Sequence, residues 1–246
     1  MAEIDGMLAG IISRMGNGTM NIGSIRRIER IDYTMMYDWQ KVLNLANRVG
    51  QALIKDFTID NANYFAYSNI AKWLVGDESM QCIDPITNNV VRGDLAKGIY
   101  LSGITGTGKT ECMRIFAEVA KELLLAYRIG NDRTLLYWAN HRADSIIQYY
   151  AKTGDIERFI TDCKTLCIQD FAAEHRNGGN FMGTKTDVIK QIVESRADAK
   201  GLMTHFTSNV GLTAHDAIER LYGDRVLDRL YGMCNYLEIK GGSRRH

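Results

Sequence analysis

The sequence predicts an α/β fold around a mostly parallel sheet, and three observations support this prediction. From residue 98 onward, short apolar runs typical of strands alternate with amphipathic stretches typical of helices. A glycine-rich loop joins the first of these strands to the first long helix. The composition, 46% hydrophobic and 24% charged over 246 residues, is that of a globular chain with one sizeable core. We therefore expect helices on both faces of the sheet and ligands at the carboxyl ends of the strands.

The front of the chain, residues 1–90, is predicted to be a helical segment that precedes an α/β domain over residues 91–246. Apolar residues recur at helical spacing over residues 34–56 and 63–75. These helices either pack on the main body or dock a partner, and the pattern leaves both interpretations open. The polar stretch 77–98 carries the single proline, Pro85, and is predicted to be a loop or linker.

The elements of the α/β domain follow in a regular order. Strands are predicted over residues 98–103, 134–140, 165–171, 203–209 and 235–240, with helices over 109–127, in stretches up to 163, over 186–197 and over 213–233. This alternation, with right-handed crossovers, brings the polar residues that follow each strand to one edge of the sheet.

The overall charge and cysteine content exclude several classes of protein. A net charge of +1 argues against a strongly basic nucleic-acid tail, although a local basic face stays possible. No apolar run approaches the roughly 18 residues of a membrane span, and the first residues make a poor signal peptide. The five cysteines are scattered and odd in number, which favours reduced structural thiols. We therefore expect a cytoplasmic protein with no membrane contact.

The loop after the first strand matches the pattern G-x-x-x-x-G-K-[ST] in full. Glycines let the backbone wrap so that its N–H groups point at phosphate oxygens, and the following helix adds the positive end of its dipole. The lysine of this pattern reaches the β- and γ-phosphates, and the next hydroxyl ligates Mg²⁺. The predicted phosphate-binding residues are Gly103, Thr105, Gly106, Thr107, Gly108, Lys109 and Thr110, with Thr110 also a metal ligand.

A P-loop alone is compatible with kinases, GTPases, motors and AAA+ proteins, and the downstream segments narrow the choice. The order GITGTGKT, LCIQDFAAE, IVESRADAKGLMTHFTSN, YGDRVLDRL and EIKGGSRR resembles the AAA+ ATPases of the DnaC-type helicase-loader and IstB-type transposition-helper group. The resemblance covers about residues 98–246, and the combination is far more specific than any one segment. It implies an AAA+ core without a separate helical lid.

The resemblance also implies ligands, partners and residue roles. These are ATP and Mg²⁺, single-stranded DNA, a replicative helicase or transposase, and homo-oligomers in which one subunit completes its neighbour's site. Asn209 matches the sensor position that holds the attacking water, and Arg229 matches the arginine finger, with Arg225 next. Arg245 matches the second-sensor arginine best, and Arg244 is the alternative.

The acidic strand departs from the family pattern, because a single acid, Asp170, stands where two are usual. Alignment of the following residues puts Gln169 at the first acid, which normally holds Mg²⁺ through water, and Asp170 at the second. An amide accepts a hydrogen bond but brings no negative charge, so we expect weaker Mg²⁺ binding. Asp170 is the predicted catalytic acid and metal ligand, although one carboxylate can serve either role but hardly both. Slow ATP hydrolysis and an ATP-gated switch without hydrolysis are both compatible with this change.

Two weaker predictions concern nucleic acid and a rival enzyme class. The stretch YWANHRADSIIQYYAKTG offers aromatic and basic residues that suit single strands, although the favoured interpretation is that the tyrosines pack in the core and the charges are solvated. The segment GSIRRIER is a second basic candidate. A P-loop small-molecule kinase is the less favoured enzyme, because no separate lid segment with paired arginines is visible in the sequence.

Overall fold

The computed structural model describes residues 28–173, 179–181, 184–199 and 201–244, and these form the predicted α/β fold. The strands are β1 (Ile28–Arg30), β2 (Gln81–Ile83), β3 (Val90–Arg92), β4 (Gly98–Ser102), β5 (Ala126–Ile129), β6 (Asp132–Leu135), β7 (Ala139–Arg142), β8 (Thr165–Phe171), β9 (Gly179–Phe181), β10 (Thr184–Thr186), β11 (Met203–Ser208) and β12 (Cys234–Glu238). The helices are α1 (Trp39–Leu53), α2 (Tyr64–Val75), α3 (Lys109–Glu122), α4 (Ala143–Thr153), α5 (Val188–Asp198), α6 (His215–Tyr222) and α7 (Asp224–Met233), with a π-helical turn at Arg158–Asp162.

The central sheet has seven strands in the order β3-β2-β12-β4-β11-β8-β7. Its five strands from β12 to β7 run parallel, and only the hairpin of β2 and β3 is antiparallel. Strands β4, β11 and β8 lie at its centre and are almost wholly buried, as expected for parallel strands covered on both faces. The prediction of a mostly parallel sheet is confirmed, and the carboxyl ends of β4, β8 and β11 lie side by side.

Two hydrophobic cores flank the sheet. One contains α1, α2 and α3, where the ring of Tyr67 packs 5.5 Å from that of Phe116. The other contains α5, α6 and α7, with Phe171 stacked 4.8 Å from Tyr222. The helices before residue 77 therefore pack on the main body, and partner docking by the same segment stays a prediction. Among the described residues, no helix is long and apolar enough to cross a bilayer.

The prediction of a loop or linker over residues 77–98 was wrong, because β2 and β3 form a hairpin there. Each strand has three residues, and β3 is exposed along its whole length, so the sequence lacks the alternation that marks a half-buried strand. The hairpin pairs with β12 through Ile83 and Tyr236 and lies across the proposed boundary at residue 90. The division into residues 1–90 and 91–246 stays a prediction.

Two further boundaries differ from the prediction. The helix predicted over residues 109–127 ends at Glu122, because Leu124 takes a left-handed conformation, φ 50°, and Ala126 begins β5. The apolar pattern continues through this turn, so the pattern does not show that the helix ends there. Strand 134–140 is likewise two strands, β6 and β7, and only β7 belongs to the central sheet.

Candidate functional site

The P-loop connects β4 to α3 at the centre of the sheet edge. Three of its glycines have positive φ, 156° at Gly103, 86° at Gly106 and 90° at Gly108, which residues with a side chain rarely adopt. A Cβ at Gly103 would lie 2.5 Å from the carbonyl oxygen of Ile239, so close backbone approach also requires glycine there. Gly108 is the N-cap of α3 and provides no side-chain cap. The first N–H groups of α3 are thus available to an anion.

Lys109 is buried and links the P-loop to the next strand. Its ammonium donates to the carbonyl oxygens of Gly103 at 2.7 Å and Ile104 at 2.9 Å, and to Oδ1 of Asn209 at 2.8 Å. Asn209 follows β11, which pairs with β4 in register Ser208 to Ser102. The structure therefore brings together two predicted site residues that are 100 positions apart in the chain.

The remaining predicted P-loop residues surround this contact. Thr107 is buried and donates through its hydroxyl to the carbonyl oxygen of Ile104 at 2.9 Å. Thr105 is exposed, and Thr110 is half-buried in the first turn of α3. The cradle of backbone N–H groups, lysine and hydroxyl fits a nucleotide polyphosphate.

The end of β8 holds Gln169 and Asp170 in different surroundings. Gln169 is 7% exposed and donates through Nε2 to Oδ1 of Asn140 at 2.9 Å. Asp170 has a left-handed backbone, φ 56°, and its N–H donates to the hydroxyl of Thr207 at 3.1 Å. Its carboxylate lies 3.3 Å from the guanidinium of Arg142. The side-chain partners of Gln169 and Asp170, Asn140 and Arg142, both come from β7, which pairs with β8 up to Arg142 and Gln169.

The predicted ligands supply only part of the coordination that Mg²⁺ usually takes. Mg²⁺ usually takes one or two carboxylates together with substrate phosphates and waters. Thr110 and Asp170 supply one hydroxyl and one carboxylate, and Arg142 competes with a metal for the carboxylate. Gln169 faces Asn140 and contributes no charge. These contacts agree with the weaker metal site expected from the sequence.

The C-terminal tail crosses the P-loop. The N–H of Arg244 donates to the carbonyl oxygen of Gly106 at 2.8 Å, and a Cβ at Gly106 would lie 2.2 Å from the hydroxyl of Ser243. The guanidinium of Arg244 reaches Asp60, before α2, with contacts of 2.7 and 2.9 Å. Arg245, the arginine favoured from the sequence, lies outside the described residues. Arg244, the alternative, is at the P-loop.

The predicted finger arginines lie on α7 and face α5. Arg229 contacts Asp198 at 2.8 Å, and Arg225 contacts Asp198 at 3.6 Å and Glu194 at 3.7 Å. These pairs hold both side chains on the surface of their own chain. The role of Arg229 in a neighbouring site stays a prediction.

The candidate nucleic-acid residues divide into buried and exposed ones. Trp138 is 3% exposed and packs 4.5 Å from His205, so core packing is the correct interpretation for this ring. Arg30, from the second basic segment, lies over the ring of Trp73 at 4.5 Å. Arg142 keeps an exposed side chain at the sheet edge. Arg26 and Arg27 lie outside the described residues.

This sheet order, the P-loop and the polar strand ends define a P-loop NTPase fold of the AAA+ type. No protein-family model matches the sequence, and no curated protein matches it. The crystal structure of the DnaC helicase loader has a TM-score of 0.51 to this chain, with 14% identity over 78% of this chain and 99% of that chain. At this identity the likeness shows the fold, and it confirms the fold that the resemblance implied.

Two further solved structures have TM-scores below 0.5. These are the structure of DnaI, with a TM-score of 0.47 and 19% identity over 83% of this chain and 96% of that one, and domain III of the Thermotoga maritima replication initiation protein DnaA, with a TM-score of 0.47 and 13% identity over 75% and 65%.

Sequence analysis did not predict the contacts that four other residues make with the predicted site residues. Asn140 and Arg142 lie at the end of β7, and their polar character beside an apolar strand was a usable signal. Asp198 faces Arg229 from another helix, and Asp60 is 184 positions from Arg244. Neither has a local pattern that would reveal its partner.

Proposed function

We propose that this chain is an ATP-binding accessory protein of DNA replication or transposition, which couples ATP binding and slow hydrolysis to assembly on single-stranded DNA and a partner protein. The observation that carries the proposal is the contact between Lys109 and Asn209 at the tips of β4 and β11. In the proposed roles, Lys109 binds phosphate and Asn209 holds the attacking water, and this contact supports a shared site for the two. The fold shared with the DnaC helicase loader supports the replication role.

The roles of the chain's own residues follow from their chemistry. The P-loop N–H groups and Lys109 bind the β- and γ-phosphates, and Asn209 orients a water for attack. Once its carboxylate leaves Arg142, Asp170 either polarises that water or holds the metal. Mg²⁺, when bound by Thr110 and Asp170, would neutralise charge on the phosphates. Arg229 from a neighbouring copy would stabilise the charge that develops on the transferred phosphate.

The test is ATP turnover by the full-length chain with Mg²⁺, with and without single-stranded DNA. We expect slow turnover that rises with DNA and is lost in Asp170→Asn. The control is Asp132→Asn, which is expected to behave as wild type because Asp132 is exposed on β6, outside the central sheet. DNA binding is expected to weaken as salt rises, because phosphate contacts release counterions. ATP affinity unchanged by Lys109→Ala would contradict the proposal.

A second candidate function is an ATP-gated switch that binds nucleotide without hydrolysing it. The hydrogen bond between Gln169 and Asn140 favours this candidate, because it occupies the amide that replaces the usual metal-side acid. Tight ATP binding and ATP-dependent oligomerisation without turnover would support the switch. Phosphate transfer to a nucleoside or another small molecule would instead indicate a kinase.

A further inference from the structure

The connection between α1 and α2 reaches the P-loop through the C-terminal tail. Nη2 of Arg244 lies 2.7 Å from one carboxylate oxygen of Asp60 and 2.9 Å from the other. The backbone of the same arginine is bound to the P-loop, since its N–H donates to the carbonyl oxygen of Gly106 at 2.8 Å. One residue therefore joins the nucleotide cradle to the start of α2.

The tail is held against the α1–α2 connection at a second point. The N–H of Lys240 donates to the carbonyl oxygen of Ala62 at 3.0 Å. Gly241 has φ 94°, and a Cβ there would lie 3.1 Å from the methyl group of Ala62. Backbone contacts thus set the path of the tail, and the ion pair with Asp60 sets the direction in which the side chain of Arg244 points.

Asp60 is itself fixed by its own turn. Its Oδ1 accepts from the N–H of Ala62 at 2.9 Å, and its own N–H donates to Oδ1 of Asn63 at 2.8 Å. Asn63 is 2% exposed and donates to the carbonyl oxygen of Thr58 at 3.1 Å. The hydrogen bond from Arg244 is the largest cause of a lowered pKa at Asp60, so this carboxylate is charged at neutral pH.

The guanidinium keeps donors for a second acceptor. Asp60 engages only Nη2, and Nε and Nη1 make no hydrogen bond within the described part of the chain. The Cδ atom of Arg244 lies 4.0 Å from the position a Cβ would take at Gly108, the N-cap of α3. The arginine stem therefore runs beside the helix end where phosphate oxygens are expected. Five donors on a planar group suit a guanidinium to two anions at once.

We propose that Asp60 is a positioning residue for Arg244, which it holds beside the N terminus of α3 so that the arginine meets the phosphates of a bound nucleotide. Asp60 also links that contact to α2, so nucleotide binding orders the start of this helix. This inference rests on the proposed function, because it requires a nucleotide at the P-loop.

The test is titration of fluorescent ATP and ADP analogues into the full-length chain with Mg²⁺. Asp60→Asn keeps an oxygen for the N–H of Ala62 and loses the charge. The matched control is Asp84→Asn, since Asp84 also caps its own turn, through the N–H groups of Ile86 and Thr87. We expect ATP affinity to fall about fivefold in Asp60→Asn and about tenfold in Arg244→Ala, as for partly exposed charge-assisted contacts. The double variant is expected to match Arg244→Ala, because one contact acts through the other.

Hydrogen exchange separates positioning from a structural role. ATP is expected to slow amide exchange over residues 60–66 in the wild type and in Asp84→Asn, and to leave it unchanged in Asp60→Asn and Arg244→Ala. Tighter ATP binding in Asp60→Asn would mean that Asp60 competes with phosphate, which overturns the inference. Additive losses in the double variant would overturn it too.

Failure of this inference can be distinguished from failure of the proposed function. Lys109→Ala in the same titration tests the P-loop alone. If Lys109→Ala removes ATP binding while Asp60→Asn binds as the wild type does, only the positioning role fails. If Lys109→Ala has no effect, the proposed function fails and the inference with it.

Discussion

Buried Arg196 links α5 to the π-helical turn, to Cys163 directly after that turn and to β11. We expect Arg196→Met to destabilise the protein by about 3 kcal/mol. The side chain is 1% exposed and extends from α5. Its guanidinium donates to the hydroxyl of Thr204 at 2.9 Å and to the carbonyl oxygens of Phe159 at 2.9 Å, Cys163 at 2.8 Å and Met203 at 2.9 Å. Methionine keeps the length of the side chain and removes these four hydrogen bonds, together with two longer ones to the carbonyl oxygens of Ile160 at 3.3 Å and Lys164 at 3.4 Å.

The magnitude follows from two opposing terms. At about 1.5 kcal/mol for each hydrogen bond to a charged group, the four bonds contribute about 6 kcal/mol. Burial lowers the pKa of Arg196 to about 10. At about 1.4 kcal/mol for each tenfold change in the protonation equilibrium, keeping the cation inside costs about 3 kcal/mol. The difference, about 3 kcal/mol, corresponds to a melting temperature lower by roughly 6 to 12 °C for a chain of this size.

Urea unfolding followed by circular dichroism measures this free energy directly. The matched control is Arg114→Met, because Arg114 is exposed and its one ion pair among the described residues, to Glu111, is 3.5 Å long. The control is expected to change stability by less than about 0.5 kcal/mol. A loss in Arg196→Met below about 1 kcal/mol, or one equal to the control, would refute the reasoning.

Three further predictions concern the sheet edge and the core. Arg142→Ala is expected to raise Mg²⁺-dependent turnover by no more than about fivefold, because its exposed pair with Asp170 is worth under about 1 kcal/mol. Gln169→Asp is expected to lower the Mg²⁺ concentration needed for half-maximal ATP binding, because it restores a charged metal-side acid. His205→Gln is expected to make stability less sensitive to acid. Burial lowers the pKa of His205 to about 3, so its contribution is complete above pH 6.5 and lost as the pH falls towards 3.

Each of these predictions has a result that contradicts it. A fall in turnover in Arg142→Ala would show that this arginine assists catalysis. An unchanged Mg²⁺ requirement in Gln169→Asp would mean that position 169 does not face the metal. For His205, wild type is expected to lose about 2 to 3 kcal/mol more than the variant between pH 6 and pH 4 in urea unfolding. Parallel losses would show that His205 is not the group that titrates.

The parts of the fold that could be predicted were those whose physics is local. Strand β8, predicted over residues 165–171, was found with the same bounds, because a buried parallel strand is a continuous apolar run with polar residues beyond it. The P-loop could be predicted equally well, because phosphate binding requires glycines and a lysine at these positions. The meeting of Lys109 and Asn209 followed from the parallel order of β4 and β11.

The rest depended on contacts between distant residues. The hairpin of β2 and β3 joins the central sheet through its pairing with β12, and its short, exposed strands show no alternation within residues 77–98 that would indicate this pairing. Asp60 meets Arg244 only because the tail turns back over the P-loop. The approach of Arg142 to Asp170 likewise needs the register of β7 on β8. The sequence identifies the charged side chains, whereas the tertiary structure determines which of them form ion pairs.

The left-handed backbone at Asp170 limits which acid can occupy this position. Aspartate and asparagine tolerate φ 56° because their short polar side chains bond locally, whereas most other residues lose about 1 kcal/mol or more there. A glutamate would reach further but carry that strain. An engineer who wishes to lengthen the acid would therefore have to redesign the bulge between β8 and β11 as well. The Asp170→Asn exchange, by contrast, changes the charge and leaves the path of the chain intact.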